Sequence, residues 1–212
     1  MLTYQNIIII IIAYLLGSIP SSVWIGEIFF NKDVRKYGSK NAGATNAIRV
    51  LGLKAGIPVL ITDTFKGWLA VNLVSFIKNN FVPDTDAFIN FQIILAISAL
   101  IGHIFPVYVG FKGGKGVATL LGIAIALYPY AIIVTTGIFI IVFIITKYIS
   151  LSSVISAIAF PFIVIFIFNS KLNFWLIMFS IATGIFVLIT HRKNIKRLLK
   201  GEETKFKFKK EI

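Results

Sequence analysis

The chain has 212 residues, of which 58% are hydrophobic and 14% charged, with a mean hydropathy of +0.91 and a formal net charge of +13. A soluble domain carries roughly one quarter charged residues, and one of this length hides only about 70% of its unfolded surface; in water this composition would leave large sticky patches, which excludes an ordinary soluble globule. Cysteine is absent, so disulfides, thiolate metal sites and cysteine nucleophiles are excluded as well.

The first apolar run, residues 6–28, is longer than the core of a signal peptide. It has neither a basic start nor a small-residue cleavage site and is expected to remain as one membrane span. Residues 31–55 connect it to the next run and carry Lys32, Arg35, Lys36, Lys40, Arg49 and Lys54. Apolar runs follow at 56–77, 91–109, 117–128, 131–146, 153–168 and 173–190, and a basic tail starts at about His191. Residues 117–146 read either as one long tilted helix or as two short spans hinged at Tyr128-Pro129-Tyr130, and charge decides between them. The 31–55 connection and the tail are both strongly basic, so both belong on the cytoplasmic side, which requires an even number of spans between them. The hinge is therefore read as a turn, giving about seven spans of roughly 20 residues, with the N-terminus outside and the C-terminus cytoplasmic. Eighteen of the twenty-one Lys and Arg residues then lie inside, Lys78 and Lys171 lie outside, and Lys66 lies within a span. The expected fold is an all-α polytopic integral membrane bundle, a single domain over residues 1–212. Its basic residues follow the loops and the lipid surface, so nucleic acid is not expected as a partner.

Three inside segments carry compact polar patterns. In the first, Gly38 and Gly43 permit tight backbone, while Ser39, Asn41, Thr45 and Asn46 favour turns and helix caps. Arg49 stands on a short helix that Gly52 can end, and its guanidinium is suited to phosphate or carboxylate. The second is Gly110-Phe-Lys-Gly-Gly-Lys-Gly116, which leads into a helix near Val117. Its backbone N–H groups, the helix N-terminus, Lys112 and Lys115 can together cradle a phosphate. Val109 and Gly116 occupy positions where a Walker A loop needs Gly and Ser or Thr, which argues against ATP binding of that type. In the third, His191, Asn194 and either Arg197 or Leu198 share a helix face. His191 has the chemistry of an acid, a base or a hydrogen-bond donor. Plainer readings stand beside all three: a connector touching headgroups, a flexible basic turn, and a basic helix lying on anionic lipid. The stretch from Lys205 to Lys210 reads as surface attachment.

Within the apolar runs, Asp63 and Lys66 share a helix face, as a buried ion pair that holds helices together or as a substrate contact. His103 and Pro106 read as packing and kink features, and Glu27 is placed to pair with a loop cation. No His/Asp/Glu cluster has metal-ligand spacing, and no nucleophile elbow is present.

Taken in order, GSKNAGATNAIRVLG (38–52), GHIFPVYVGFKGGKGVAT (102–119) and HRKNIKRLLKGEE (191–203) resemble the bacterial acyl-phosphate-dependent glycerol-3-phosphate acyltransferases, the PlsY family. The resemblance covers essentially the whole chain. One departure is Lys40, where that family usually has Gly. The resemblance implies transfer of a fatty acyl group from acyl phosphate to the sn-1 hydroxyl of glycerol 3-phosphate, in the bacterial inner membrane and without metal or cofactor. It implies Ser39, Arg49, His191 and Asn194 as catalytic residues. Asn41, Thr45, Asn46, Lys112, Gly113, Gly114, Lys115 and Gly116 are implied to bind substrate, and Glu202 to be structurally important. Membrane lipid and the enzyme that supplies acyl phosphate are the implied partners. For the hydroxyl proton, His191 and a substrate phosphate oxygen both stand as acceptors, and Ser39 as a covalent acyl carrier is the third option. The competing class is an organic-anion transporter, for which Asp63 and Lys66 are the supporting feature.

Overall fold

The computed structural model describes residues 3–77, 81–83, 85–167 and 173–206, and these are helical with no strand among them. Lys78, Lys171 and the tail residues Lys207 to Lys210 lie outside the described residues. The chain divides into two compact units, residues 1–127 and 128–212.

In the first unit the apolar run at 6–28 is not one straight span. It forms α1 (Tyr4–Gly17) and α2 (Ser21–Phe30), which meet at 44°. Pro20 supplies the reason: it has no N–H to continue the ladder and pushes Ile19 away from helical dihedrals. A short helix, α3 (Ala44–Leu51), follows the polar connection and stops at Gly52, whose φ of +91° ends it as expected. Next come α4 (Leu53–Asn72), α5 (Asp86–Ile104) and α6 (Val117–Leu127). α1 packs on α5, and Ser98 Oγ donates to the Ile10 carbonyl across that seam at 2.8 Å. α4 packs on α6 with their backbones nearly touching: a β-carbon on Gly67 would overlap the Thr119 carbonyl, and one on Gly122 the Thr64 carbonyl. This is the small-residue packing by which helices associate in lipid, where no hydrophobic drive separates helix from tail. Ala13, Ala70, Val74, Phe91, Leu95 and Ala99 form the apolar core of this unit.

The second unit comprises α7 (Pro129–Thr146), α8 (Ile149–Ile167), α9 (Phe174–Thr190) and α10 (Arg192–Leu199). Of the two sequence readings at 117–146, the structure has the broken one: helix α6 ends at Leu127 and Pro129 opens α7. Tyr128 donates its hydroxyl to the Leu176 carbonyl at 2.6 Å and meets Phe160 edge-on, tying the start of α7 to α8 and α9. α10 leaves α9 at 59°.

Among the described residues four helices are long and apolar enough to cross a bilayer, and up to six if each bent pair counts as one crossing. This differs from the expected seven because α6, with 11 residues, is about 16 Å long against a hydrocarbon core of about 30 Å. Along α7 the side chains of Ile133, Ile140, Ile141, Ile144 and Ile145 all point outward. A helix that is apolar all round and exposes that face has lipid as its solvent.

Candidate active site

The first unit brings two of the three polar patterns together. Asp33 caps a single 3-10 turn (Val34–Lys36) by accepting the Arg35 amide at 2.9 Å. The same carboxylate takes the Arg35 guanidinium from Nε and Nη2, both at 3.0 Å. Arg35 Nη1 then reaches across to the Val109 carbonyl at 3.0 Å. This staple fastens the first polar connection to the entrance of the glycine loop. The hydrogen bond from Arg35 holds the Asp33 carboxyl below the usual aspartate value, and Asp33 raises Arg35 in turn. Nothing in the sequence marked the pair except Asp-x-Arg spacing. Glu27, expected to pair with a loop cation, is exposed and acts on Arg35 only through its field.

Around the first motif, Asn46 is buried and acts as a clamp. Its Nδ2 donates to the Val34 carbonyl at 2.8 Å and the Tyr37 carbonyl at 3.2 Å, and its Oδ1 accepts the Ser39 amide at 2.8 Å. All of these partners are backbone, so Asn46 positions the loop. Gly38, at φ +58°, lies beneath Arg49: a β-carbon there would sit 3.4 Å from Arg49 Cδ. Ser39 and Arg49 are therefore neighbours, both exposed, and Arg49 has no ion pair among the described residues. Thr45 is exposed on the first turn of α3 and Asn41 is half-buried in the loop before it. Lys40 closes the turn by donating its amide to the Tyr37 carbonyl at 2.9 Å, with φ at +58°. For a residue with a β-carbon that conformation costs about 1 kcal/mol.

The glycine loop is built differently from the expected cradle of amides. Gly113 N donates to the Ile104 carbonyl at 3.0 Å and Gly114 N to the His103 carbonyl at 3.2 Å. Both amides thus satisfy carbonyls left open at the C-terminus of α5 and are not directed at an anion. Glycine is required there by close approach. A β-carbon on Gly114 would overlap the His103 ring and lie 2.7 Å from the Ala42 carbonyl, which also shows how tightly the first motif packs on the second. Gly116, at φ +78°, opens α6 by accepting Leu120 N, and Lys115 is half-buried beside it. Side-chain charge beside the loop is also available to an anion, from Lys112, which is exposed. Between the two motifs lies an open basin of about 470 Å³ lined by Asp33, Arg35, Lys40, Val109, Gly110, Lys112 and Gly113.

Beneath the loop, Asp63 accepts from Lys66 Nζ at 2.7 Å and from Ser21 Oγ at 2.5 Å, with His103 Nδ1 at 3.8 Å. Lys66 also donates to the Ile19 carbonyl at 2.8 Å, and Thr119 Oγ1 lies 3.1 Å from His103 Nδ1. Lys66 thereby satisfies a carbonyl exposed by the break before Pro20. Of the two sequence readings, the structure has the ion pair that holds helices together.

In the second unit, His191 is buried at the junction of α9 and α10, with Nδ1 2.9 Å from the Val187 carbonyl. A carbonyl only accepts, so the proton of the neutral ring sits on Nδ1 and Nε2 is the basic nitrogen. Asn194 Nδ2 donates to Glu203 at 2.8 Å, joined there by Arg197 Nε at 2.7 Å and Ser150 Oγ at 3.0 Å. The structural acid of the tail is thus Glu203; Glu202 is exposed. The signal was ambiguous because the two are adjacent and only the return of the tail to α8 distinguishes them. Phe206 donates its amide to the Lys147 carbonyl at 2.7 Å and packs edge-on against Phe143, so the start of the Lys205 to Lys210 stretch is docked on the end of α7, and the rest of that stretch lies outside the described residues.

Burial works against ionisation of Glu203, but the hydrogen bonds from Asn194, Ser150 and Arg197 outweigh it and hold its carboxyl below the ordinary glutamate value. A depressed carboxylate stabilises the fold above its unfolded value and loses that contribution as pH falls through the folded one. The thermal midpoint of the wild type in detergent should therefore exceed that of Glu203→Gln at neutral pH. The gap should close as pH drops below 4.5, the ordinary glutamate value; a gap independent of pH would remove the charge from the explanation.

The sequence matches the family described as Glycerol-3-phosphate acyltransferase over residues 7–201. The chain belongs to the glycerol-3-phosphate acyltransferase family. It is 45% identical over 199 residues to the glycerol-3-phosphate acyltransferase of Fusobacterium nucleatum subsp. nucleatum, covering 94% of this chain and 97% of that one. Its counterpart in Staphylococcus saprophyticus is 40% identical, with 95% and 98% covered. Two crystal structures of PlsY (YgiH), an integral membrane glycerol 3-phosphate acyltransferase, superpose on it with 32% identity and 96% of both chains covered. The TM-score is 0.83 for the glycerol 3-phosphate form and 0.78 for the lysophosphatidic acid form. The protein is therefore an integral membrane acyltransferase of the PlsY family, as its three motifs implied, and belongs to phospholipid synthesis. The transporter reading loses its support, since Asp63 and Lys66 are occupied with each other, with Ser21 and with Ile19.

Proposed function

We propose that this enzyme transfers a fatty acyl group from acyl phosphate to the sn-1 hydroxyl of glycerol 3-phosphate, giving 1-acylglycerol 3-phosphate and inorganic phosphate. The observation that carries the reading is the basic basin at the junction of the first two motifs of a family member, since both substrates bear phosphate. In this reaction the sn-1 oxygen attacks the acyl carbonyl carbon, the hydroxyl proton leaves to a base, and the bond between that carbon and the phosphate oxygen breaks. The donor is already activated, so the protein's task is to orient the hydroxyl and neutralise charge on the carbonyl oxygen and departing phosphate. Lys112 and Arg49 supply positive charge, and Ser39 offers a hydroxyl on a loop fixed by Asn46. Gly113, Gly114 and Gly116 set the path of the second loop, and Lys115, Asn41 and Thr45 line the motifs around it. The resemblance to the family makes His191 and Asn194 active-site residues, and His191 Nε2 is the base that this reading assigns to the hydroxyl proton, with a substrate phosphate oxygen as the alternative.

The topology that fits the basic residues has seven crossings, with a short one at α6, the N-terminus outside and the C-terminus in the cytoplasm. The chain then forms one acyltransferase domain in the bacterial inner membrane, and an enzyme that supplies acyl phosphate is its expected partner. The test is product formation by purified protein in lipid from labelled glycerol 3-phosphate, with palmitoyl phosphate or palmitoyl-CoA as donor. Lysophosphatidate from the phosphate donor alone is the expected result. Product from the thioester alone would overturn the donor assignment, and product from neither would overturn acyl transfer.

A further inference from the structure

The cations around the basin differ in what is left for a ligand. Arg35 is bound on one side by Asp33 and on the other by the Val109 carbonyl, so its charge is matched and its geometry fixed. Asp33, the acid that lines the basin among the described residues, is thereby occupied as well. Lys40 and Lys112 line the same basin, both exposed and neither in an ion pair among the described residues. The backbone provides a second, independent observation. Lys40 holds φ at +58° in a turn fixed on both sides, by its own amide on the Tyr37 carbonyl and by Ser39 N on Asn46. A glycine would adopt that conformation without strain. Lysine therefore lowers the stability of the turn without gaining a side-chain hydrogen bond or ion pair among the described residues, the pattern expected where strain is kept for function.

We propose that Lys40 contacts substrate phosphate: with Lys112 it forms a two-lysine clamp for a terminal phosphate group in the basin and sets this enzyme's affinity for it. The inference rests on the acyl-transfer reading and adds an affinity-determining residue to it. A terminal phosphate group carries between one and two negative charges near neutral pH, which two ammonium groups balance. Lysines act as mobile point charges and demand no fixed fork geometry, which suits a basin open to solvent. Two sources share this chemistry: free glycerol 3-phosphate, and the phosphate of an acyl phosphate whose chain lies in the lipid.

The experiment compares Lys40→Gln, which removes the charge and keeps the strained turn, Lys40→Gly, which removes both, and Lys40→Arg, which keeps the charge. KM for each substrate, kcat and the thermal midpoint are measured in the same lipid. Loss of one charge-assisted contact predicts about a tenfold rise in KM for Gln and Gly alike. The loss should fall on KM more than on kcat, Arg should restore most of the affinity, and Gly alone should raise the thermal midpoint. A rise confined to glycerol 3-phosphate assigns the clamp to the free substrate, and one confined to acyl phosphate assigns it to the lipid-borne donor. Unchanged KM values for both substrates in Lys40→Gln and Lys40→Gly would overturn the proposal. If the wild type forms no lysophosphatidate, acyl transfer itself falls. Equilibrium binding of labelled glycerol 3-phosphate and of palmitoyl phosphate, wild type against Lys40→Gly, then decides the role of Lys40 separately: about tenfold weaker binding of either ligand supports the clamp, and unchanged binding of both overturns it.

Discussion

Lys66→Met should destabilise the protein by about 3–5 kcal/mol, and lower its thermal midpoint in detergent by roughly 10 °C. The variant removes one partner of a fully buried pair. Asp63 would be left with only the Ser21 hydroxyl as a close donor, and the Ile19 carbonyl would lose the ammonium that satisfies it. Among the described residues the next nitrogen, His103 Nδ1, is 3.8 Å from Asp63, too far to replace the ammonium. A charge left unpaired in such surroundings costs more than the pair contributed when intact. Asp63→Asn/Lys66→Met, which removes both charges, should therefore recover most of the loss. A single variant as stable as the wild type would show that the pair does not hold α2, α4 and α5 together.

His191→Gln should lower kcat by about 100-fold or more while KM for glycerol 3-phosphate changes little, the signature of a lost general base. Glutamine can still donate to the Val187 carbonyl, so the turn between α9 and α10 should survive, but it has no nitrogen able to take a proton. The alternative acceptor is an oxygen of the substrate phosphate. In that case the same variant keeps near-normal kcat with weaker apparent affinity, because His191 would then only bind. Single-turnover measurement of product formation separates these outcomes from any change in product release.

Both predictions depend on which partner a side chain meets, and here the sequence and the structure contributed differently. Composition alone settled that lipid is the solvent, since no arrangement of 212 residues with this apolar content could cover itself in water. Local rules settled two elements, Gly52 ending α3 and Arg49 standing on that short helix, while the break at Pro129 was read from the parity of the basic segments. The three motifs and their order identified the family, because each is a contiguous string.

Only the tertiary structure decided how the polar groups are spent. Asp63 meets Ser21 across 42 positions, and Arg35 meets the Val109 carbonyl across 74. Periodicity reaches three or four residues along a helix and contains no information about such partners. The same limit explains the glycine loop, whose amides cap α5, and the tail, where Glu203 and not its neighbour Glu202 receives Asn194. Residue type determined which groups must be satisfied once water is excluded. The packing of the helices determined which partner each of them found.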